Sequence, residues 1–296
     1  MSRASSLCPA CAADNWGADQ VVKDHSISGE SFTLRECLSC NIKVTVDAPG
    51  PAEIAPYYAS EDYISHSDVQ KDLKDKLYHR ARGVMLRRKA AWIQPHIPVD
   101  QGRLLDIGCG TGYFLQYMHQ LGHAVVGLEP DDDARAIAAK QGDFPVYPSD
   151  HLAELDGSYD AITMWHVLEH VHDLDGYASK IRNLLAEDGL WVIAVPNHQS
   201  HDAKYYGTDW AAYDVPRHLW HFSPRSIDAY VQKHDMAVVD RKRMIMDPFY
   251  VSLLSSGYRR GKPSYLSAAW SGLRSSVRSF ARVEESSSVV YFVKKK

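Results

Sequence analysis

The residues best suited to chemistry lie in one stretch, Leu104-Leu105-Asp106-Ile107-Gly108-Cys109-Gly110-Thr111-Gly112-Tyr113-Phe114. Two apolar residues lead into an acid, three glycines follow at alternate positions, and an apolar run can then open a helix. The pattern predicts a buried strand, a tight turn and a helix start. Glycine serves positions that need positive φ or very close approach to a ligand. Ligands of open α/β sheets bind at the carboxyl ends of the strands, beside such a turn. The spacing is G-x-G-x-G, not the G-x-G-x-x-G of dinucleotide binders, and no Gly-Lys-Ser/Thr follows for a phosphate loop. Asp106 precedes the glycines, where a carboxylate meets a cationic or hydroxyl-bearing ligand. His123–Glu129 reads as a second strand ending in an acid 23 residues beyond Asp106. That separation fits one helix and one strand, and the placement suits a grip on ribose hydroxyls.

A second constellation is made of cysteine. Cys8-Pro9-Ala10-Cys11 and Cys37-Leu38-Ser39-Cys40 are separated by 25 residues. In a reducing compartment two such knuckles favour a tetrahedral zinc over disulfides, and a shell of four thiolates with no open position is structural. Asp19–Lys23 and Ser31–Arg35 alternate like short strands between the pairs. Residues 1–46 therefore read as a zinc ribbon, too small to fold well without its metal. A redox pair would sit beside a βαβ unit, which is not matched here. His25 reads as a surface histidine, and Cys109 as a small packing residue within the glycine turn.

A third concentration follows Trp191–Val195. Pro196-Asn197-His198-Gln199-Ser200-His201, Tyr205-Tyr206-Gly207, Trp210 and Tyr213-Asp214-Val215-Pro216-Arg217-His218-Leu219-Trp220-His221-Phe222-Ser223 gather histidines and aromatics beyond the sheet. An aromatic wall with a few polar groups suits a small-molecule acceptor. Histidine near neutrality can take a proton from a hydroxyl or acidic carbon. His218 and His166 are candidates for that role, with Asp214 able to orient or replace either. For His170 a packing role is preferred, with Glu169 capping or salt-bridging nearby.

The elements that must carry these groups alternate as strand and helix, which implies parallel strands with right-handed crossovers. Strands are predicted near Arg103–Ile107, Ala124–Leu128, Phe144–Tyr147, Tyr159–Met164 and Leu190–Val195, and helices near Tyr113–Leu121, Asp132–Gln141, Leu174–Leu185 and Ser226–His234. Met236–Arg243 and Val289–Val293 supply a last, antiparallel pair. Before the sheet, the proline-rich stretch 46–56 marks a boundary, and Asp68–Gln94 reads as a long helix. Its apolar positions include Leu73, Leu77, Val84 and Trp92, and its charges, Lys89 among them, read as a solvated face. The organisation is thus a module over 1–46, a linker and helical cap over 47–100, and a main domain over 101–296 with insertions at 197–225 and 249–285. In the second insertion, Leu266, Trp270, Leu273, Val277 and Phe280 form a helical stripe, with Arg274, Arg278 and Arg282 on another face. The ordinary reading packs this stripe on the domain. Alternatives are a lid over a phosphorylated acceptor and peripheral contact of 264–282 with an anionic membrane.

Hydrophobic content of 45% and charged content of 24% are those of a globular protein. No apolar run is long enough to span a bilayer, and the N-terminus lacks the apolar core of a secretory signal. A cytoplasmic location follows as the default. The net charge of −4 divides into +9 from Arg241 onward and −13 before it. This makes nucleic acid a poor general partner, although the basic tail leaves it open.

The glycine turn with Glu129 resembles the first motifs of the class I S-adenosylmethionine-dependent methyltransferases. The resemblance continues through Tyr159-Asp160-Ala161-Ile162 with Trp165-His166-Val167-Leu168-Glu169-His170-Val171, and through Leu184-Leu185-Ala186-Glu187-Asp188-Gly189-Leu190. It implies an α/β fold with a Rossmann-like, seven-stranded, mostly parallel sheet, carrying here a small N-terminal zinc ribbon. It implies S-adenosylmethionine as cofactor, held by Asp106, Gly108, Cys109, Gly110, Gly112, Tyr113, Phe114, Glu129, Pro130, Trp165 and His166. Ser149, Asp150 and His151 fall where the family reads the adenine edge, and Tyr57, Tyr58 and Tyr63 where a preceding helix covers the cofactor. The segment Arg217–Ser223 is similar to the E-H-x-x-Y-F-S segment of zinc-ribbon-bearing sugar C-methyltransferases, with His218 on the catalytic histidine and Arg217 in place of the glutamate. The implied reaction is methylation of a small metabolite, such as a nucleotide-linked sugar or glycan precursor. Two other readings stand beside it: RNA methylation through the zinc ribbon and basic tail, and cofactor binding without catalysis.

Overall fold

The computed structural model describes residues 7–58, 73–98, 101–262 and 264–296. Strands β1 (Trp16–Lys23), β2 (Ser31–Cys37) and β3 (Lys43–Thr45) form an antiparallel meander, followed by helix α1 (Leu73–Ile93). The alternating part runs β4 (Arg103–Ile107), α2 (Tyr113–Gln120), β5 (Ala124–Leu128), α3 (Asp132–Ala138), β6 (Val146–Tyr147), β7 (Tyr159–Trp165), α4 (Leu174–Leu184) and β8 (Leu185–Pro196). Then follow α5 (His201–Tyr206), β9 (Trp220–His221), α6 (Pro224–Lys233), β10 (Met236–Arg243), α7 (Asp247–Arg260), α8 (Tyr265–Ala281) and β11 (Ser288–Lys295). The main sheet has the order β10-β11-β8-β7-β4-β5-β6, parallel from β8 to β6 and antiparallel at β10 and β11. The expected strands and crossover helices are present, with β8 starting earlier than the sequence suggested.

Alternate residues of the central strands feed two layers. Leu105, Ile107, Trp191, Ile193 and Val195 pack with Leu174, Ala178, Ile181 and Leu184 of α4, which recur at helical spacing. Leu104, Val192 and Ala194 pack on the other side with Ala90 and Ile93 of α1 and Phe114 and Leu115 of α2. Burial on both faces explains why these strands read as continuous apolar runs. Local chemistry starts the helices: Asp173 accepts from Gly176 N at 2.8 Å, and Ser223 and Ser226 form a reciprocal capping box ahead of α6.

The N-terminal module shares the main core. Cys8, Ala10, Cys37, Cys40 and Ile42 pack with Leu219, Trp220 and Phe222, and β9 pairs with β3 to extend the small sheet to four strands. Helix α1 agrees with the predicted long helix where it is described, with Val84 exposed and Trp92 edge-on to Phe292. The helix's predicted start before residue 73, and Tyr63, lie outside the described residues.

Helix α8 reverses the expected packing. Trp270, Leu273 and Val277 are 60, 50 and 60% exposed, while Ser271, Ser275 and Ser276 are buried. The cause is short-range contact. Ser252 of α7 donates to Ser271 at 3.3 Å, and a Cβ on Gly272 would lie 2.7 Å from the Phe249 ring. Buried Asp202 accepts from Ser275 at 2.9 Å, Ser287 at 2.7 Å and Trp210 Nε1 at 2.9 Å. A buried carboxylate must be satisfied, so it draws the serine face inward. The side chains of Leu266 and Phe280 lie outside those described. Among the described residues, no helix is long and apolar enough to cross a membrane.

Candidate active site and metal centre

The glycine turn opens at the carboxyl end of β4. Gly108 has φ +70°, and a Cβ there would lie 2.4 Å from Val167 Cγ2, so backbone conformation and space both require glycine. Gly110 has φ +55° and its Cβ position meets nothing within 4 Å, which leaves open room in the crevice. Gly112 caps the start of α2, where Tyr113 lies under the Arg82 guanidinium and Phe114 is buried. Glu129 ends β5 with one oxygen accepting from Gly110 N at 2.7 Å and the other from Asp131 N at 3.0 Å. Burial pushes its carboxyl above the usual range against these bonds. Pro130 leads into α3, whose N-cap is Asp131. Cys109 packs by Gly127 as a small core residue, and burial raises its thiol.

Asp106 is buried and accepts from the Thr163 hydroxyl. Burial pushes its carboxyl up to about 7, against the pull of Thr163 and Lys89. Lys89 corrects the sequence reading, which placed it on a solvated face. Its ammonium lies 4.1 Å from the Trp165 ring centroid, and burial lowers it to about 8. The signal was present, since Met85, Lys89 and Ile93 fall on one helical face. Trp165 meets Phe114 edge-on at 5.6 Å, and its indole N–H has no partner among the described residues. His151 stacks on Tyr147 at 4.2 Å and pairs with Glu154 at 2.9 Å, just after β6.

His166 occupies the left-handed region at φ +60° and sits between two carboxylates, Asp247 Oδ2 at 3.1 Å and Glu169 Oε1 at 3.4 Å. Burial opposes its charge, but Asp247 and Glu169 raise it to about 10. The two carboxylates favour the protonated ring. Asp247 was not foreseen, because it belongs to the root of a distant insertion.

Beyond His166, Glu169, His170 and His218 converge, each offering a ligand atom within 4.8 Å of the others. His170 Nδ1 lies 3.0 Å from the Arg217 carbonyl and 3.1 Å from the Tyr58 hydroxyl; His218 Nδ1 lies 2.9 Å from the Ala212 carbonyl. Carbonyls only accept, so both Nδ1 atoms carry hydrogen and both Nε2 atoms present lone pairs when neutral. Burial and the neighbouring His218 lower His170 to about 4. Asp214 Oδ2 is 3.9 Å from His218 Nε2, but the Asp214 carboxylate is chiefly held by Arg217, at 2.7 and 3.0 Å. His221 is tied to Thr45 at 3.0 Å and His198 to the Asn41 carbonyl at 2.6 Å.

The four N-terminal cysteines also converge. The Cys8–Cys40 and Cys11–Cys37 sulfurs lie 3.6 and 3.7 Å apart, close to the ~3.8 Å edge of a tetrahedron with Zn–S bonds of about 2.3 Å. His25 stands apart, exposed and stacked on Tyr258 at 4.5 Å.

The sheet order, the glycine turn and the acid ending β5 together define a class I S-adenosylmethionine-dependent methyltransferase. The methyltransferase domain family matches residues 69–241, more than half of the chain, and the chain belongs to that family. It is 31% identical over 165 residues to a ubiquinone biosynthesis O-methyltransferase of Cereibacter sphaeroides, covering 51% of this chain and 67% of that protein. With the enzyme of that name from Brucella anthropi it shares 27% over 164 residues, covering 51% and 66%. The match thus spans about two thirds of the length of these relatives. The structure of magnesium protoporphyrin IX methyltransferase from Synechocystis PCC 6803 with bound SAH is alike in fold, at 13% identity and a TM-score of 0.51, covering 81% of this chain and 97% of that one. The named relatives are not sugar methyltransferases, so the likeness of Arg217–Ser223 to that group is not carried by them.

Proposed function

We propose that the chain transfers a methyl group from S-adenosylmethionine to a hydroxyl of a small acceptor bound beside Glu169, His170 and His218. The observation that carries this is the continuity of the two sites: Gly108 of the cofactor turn lies against Val167, and Glu169 and His170 follow on the same short segment. The residues fit the cofactor. Gly110 leaves an open cradle, Asp106 offers charge to its cationic part, and Glu129 offers carboxylate oxygens to ribose hydroxyls. When bound, the cofactor supplies an electrophilic methyl on sulfonium; the chain orients the acceptor and removes its proton. Attack by the acceptor oxygen on that methyl would leave the electron pair of the broken C–S bond on sulfur. His218 acts on the hydroxyl through its Nε2. Oxygen as the methylated atom agrees with the names of the relatives. The four cysteines hold a structural zinc on this reading.

Methyl-labelled cofactor incubated with the protein and fractionated lysate tests the reading. Label is expected among small molecules and lost in His218→Ala; label in RNA, or none with a panel of hydroxylated acceptors, overturns it.

We further propose that α8 meets an anionic lipid surface. Its outward Trp270, Leu273 and Val277 lie beside exposed Arg274 and Arg278, the pairing of apolar and basic groups that such surfaces bind.

A further inference from the structure

We infer that Asp247 is a positioning residue for the cofactor crevice, set in place by helix α7, which is strung between the N-terminal module and His166. His166 is the first residue after β7 and stands at φ +60°. Residues other than glycine keep that backbone state only where their surroundings enforce it. Two carboxylates enforce it here. Asp247 Oδ2 lies 3.1 Å from Nε2 and Glu169 Oε1 lies 3.4 Å from Nδ1, so the ring is gripped at both nitrogens. Glu169 is three residues away on the same segment, whereas Asp247 comes from a distant part of the chain. The next residue, Val167, has its Cγ2 within 2.4 Å of where a Cβ on Gly108 would stand. The glycine turn is therefore seated on the residue beside the gripped histidine. Release of His166 frees the backbone at 166–167 to relax, and the turn loses its seat.

Asp247 is itself held. It opens α7, where Pro248 is buried and presets the first turn; the Ser288 side chain hydrogen-bonds its carboxylate, and its charged neighbours are His166 and Lys89. Farther along α7, Ser255 Oγ accepts from the Ala211 amide at 2.8 Å. Val251 packs on a cluster that joins Val22, Phe32 and Leu34 of the module to Tyr206 and Tyr213 of the acceptor wall. At the far end the Tyr258 ring stacks on His25 at 4.5 Å, and its hydroxyl lies 2.9 Å from Ser26 Oγ. Both partners belong to the turn after β1, where Asp24 accepts from the amides of Ser26, Ile27 and Ser28. Arg259 adds a tether to Asp209 at 3.1 Å and to the Tyr205 carbonyl at 3.0 Å. Eleven positions separate Asp247 from Tyr258, about 16 Å of helix at ~1.5 Å per residue. Rigid elements of this kind carry coupling between sites, so a shift at Tyr258 reaches Asp247. The module thus sets a residue of the crevice as well as bracing the fold. The inference holds for any acceptor, because the reach is to the cofactor turn.

Two measurements on the full-length protein test this: calorimetric titration with S-adenosylhomocysteine, and the imidazole NMR signals of His166, identified by their loss in His166→Gln. Asp247→Ala is expected to weaken S-adenosylhomocysteine about tenfold and to shift the His166 signals. Asp247→Asn, which keeps an oxygen for the Nε2 hydrogen, should lose less. Tyr258→Ala, remote from the crevice, is expected to weaken S-adenosylhomocysteine about threefold and to move the same His166 signals in the same direction. The double variant should bind as Asp247→Ala alone, because both changes act through one grip. Tyr258→Phe keeps the stack on His25 and loses only the Ser26 bond; it gives a smaller step in the same direction should Tyr258→Ala fail to fold. Unmoved His166 signals in a folded Tyr258 variant, or losses that multiply in the double variant, overturn the role of α7. Full affinity in Asp247→Ala overturns the positioning role itself. Wild-type protein that binds S-adenosylhomocysteine but methylates no hydroxylated acceptor would sink the proposed reaction and leave this inference standing.

Discussion

Arg217 and Asp24 meet across 193 positions of sequence: Arg217 Nη2 lies 3.0 Å from Asp24 Oδ1 and 2.7 Å from Asp214 Oδ1. Neither Arg217 nor Asp24 is more than 2% exposed. The arginine that stands in place of a glutamate in the similar sugar-methylating segment is thus a clamp between the N-terminal module and the acceptor wall. It also donates to the Tyr57 carbonyl at 2.9 Å, so its remaining hydrogens are occupied. Removing one partner of a buried pair costs about 3–5 kcal/mol, because the other charge is left behind. Arg217→Met is expected to lower unfolding free energy by about 3 kcal/mol, read from the urea midpoint at unchanged slope. A loss below about 1 kcal/mol would mark the pair as surface-like.

The same contact sets an acid limit. Burial works against the Asp24 charge, but Arg217 and the Ser28 amide and hydroxyl hold its carboxyl down to about 2. A carboxyl lowered on folding stabilises the protein above its unfolded pKa of about 4, and that contribution is lost as pH falls from about 4 towards 2. Asp24→Asn should flatten this part of the stability profile. An equally steep acid transition in that variant would place the effect on another group.

The cysteine cluster makes a prediction about reach as well as stability. Because Cys8, Cys37 and Cys40 share a core with Leu219 and Trp220, loss of zinc should disturb the acceptor wall in addition to the module. Purified protein is expected to release one tightly held zinc from these thiols on mercurial titration. Cys8→Ser should abolish that release and lower the melting temperature. Zinc-free protein that melts unchanged would dismiss a structural role.

In the cofactor crevice, Asp106 gives a pH dependence with a definite sign. Its carboxyl is pushed up to about 7 by burial, so it becomes anionic as pH rises through neutrality. S-Adenosylhomocysteine carries a cationic amino group, and its affinity should rise between about pH 6 and 8 in the wild type and stay flat in Asp106→Asn. Calorimetric titration measures this; the same rise in Asp106→Asn would clear Asp106. Gly108→Ala should weaken cofactor binding at least tenfold and cost about 1–3 kcal/mol of stability, since its φ is +70° and its Cβ would strike Val167.

What the sequence disclosed and what it hid follow from the range of the forces involved. The β4 turn, Glu129 and the cysteine pairs are local patterns, legible because each function is carried by spacing within a short window. The Arg217–Asp24 clamp, the pairing of two-residue β9 with β3, and the reach of Asp247 to His166 join distant segments and leave no period behind. Glu169 and His170 were visible in the chain, but their proximity to a histidine 48 positions later was not. Helix α8 shows a different limit. Its apolar stripe had the right spacing for a core, yet Ser275 was drawn inward by Asp202, a residue with no local connection to it.

The outward stripe of α8 leads to the last prediction. Trp270, Leu273 and Val277 lie on one side of the helix, Arg274 and Arg278 are exposed beside them, and the Arg274 guanidinium is 5.1 Å from the Trp270 ring centroid. Basic groups at an anionic surface add about 1 kcal/mol each, within a Debye length; burying an apolar side chain of this size adds about 1.5–3 kcal/mol. Both contributions are needed for stable attachment. Vesicles rich in phosphatidylglycerol should therefore co-sediment the protein, while phosphatidylcholine vesicles should not. The double variant Trp270→Ser with Leu273→Ser should lose at least about tenfold in binding, corresponding to 1.4 kcal/mol or more. Arg274→Glu should lose the preference for anionic lipid, and raised salt should weaken but not abolish wild-type binding. Equal binding to both vesicles would remove the electrostatic half of the argument. A wild-type dimer in light scattering, converted to monomer by the serine variant, would instead show that a second copy of the chain covers the stripe.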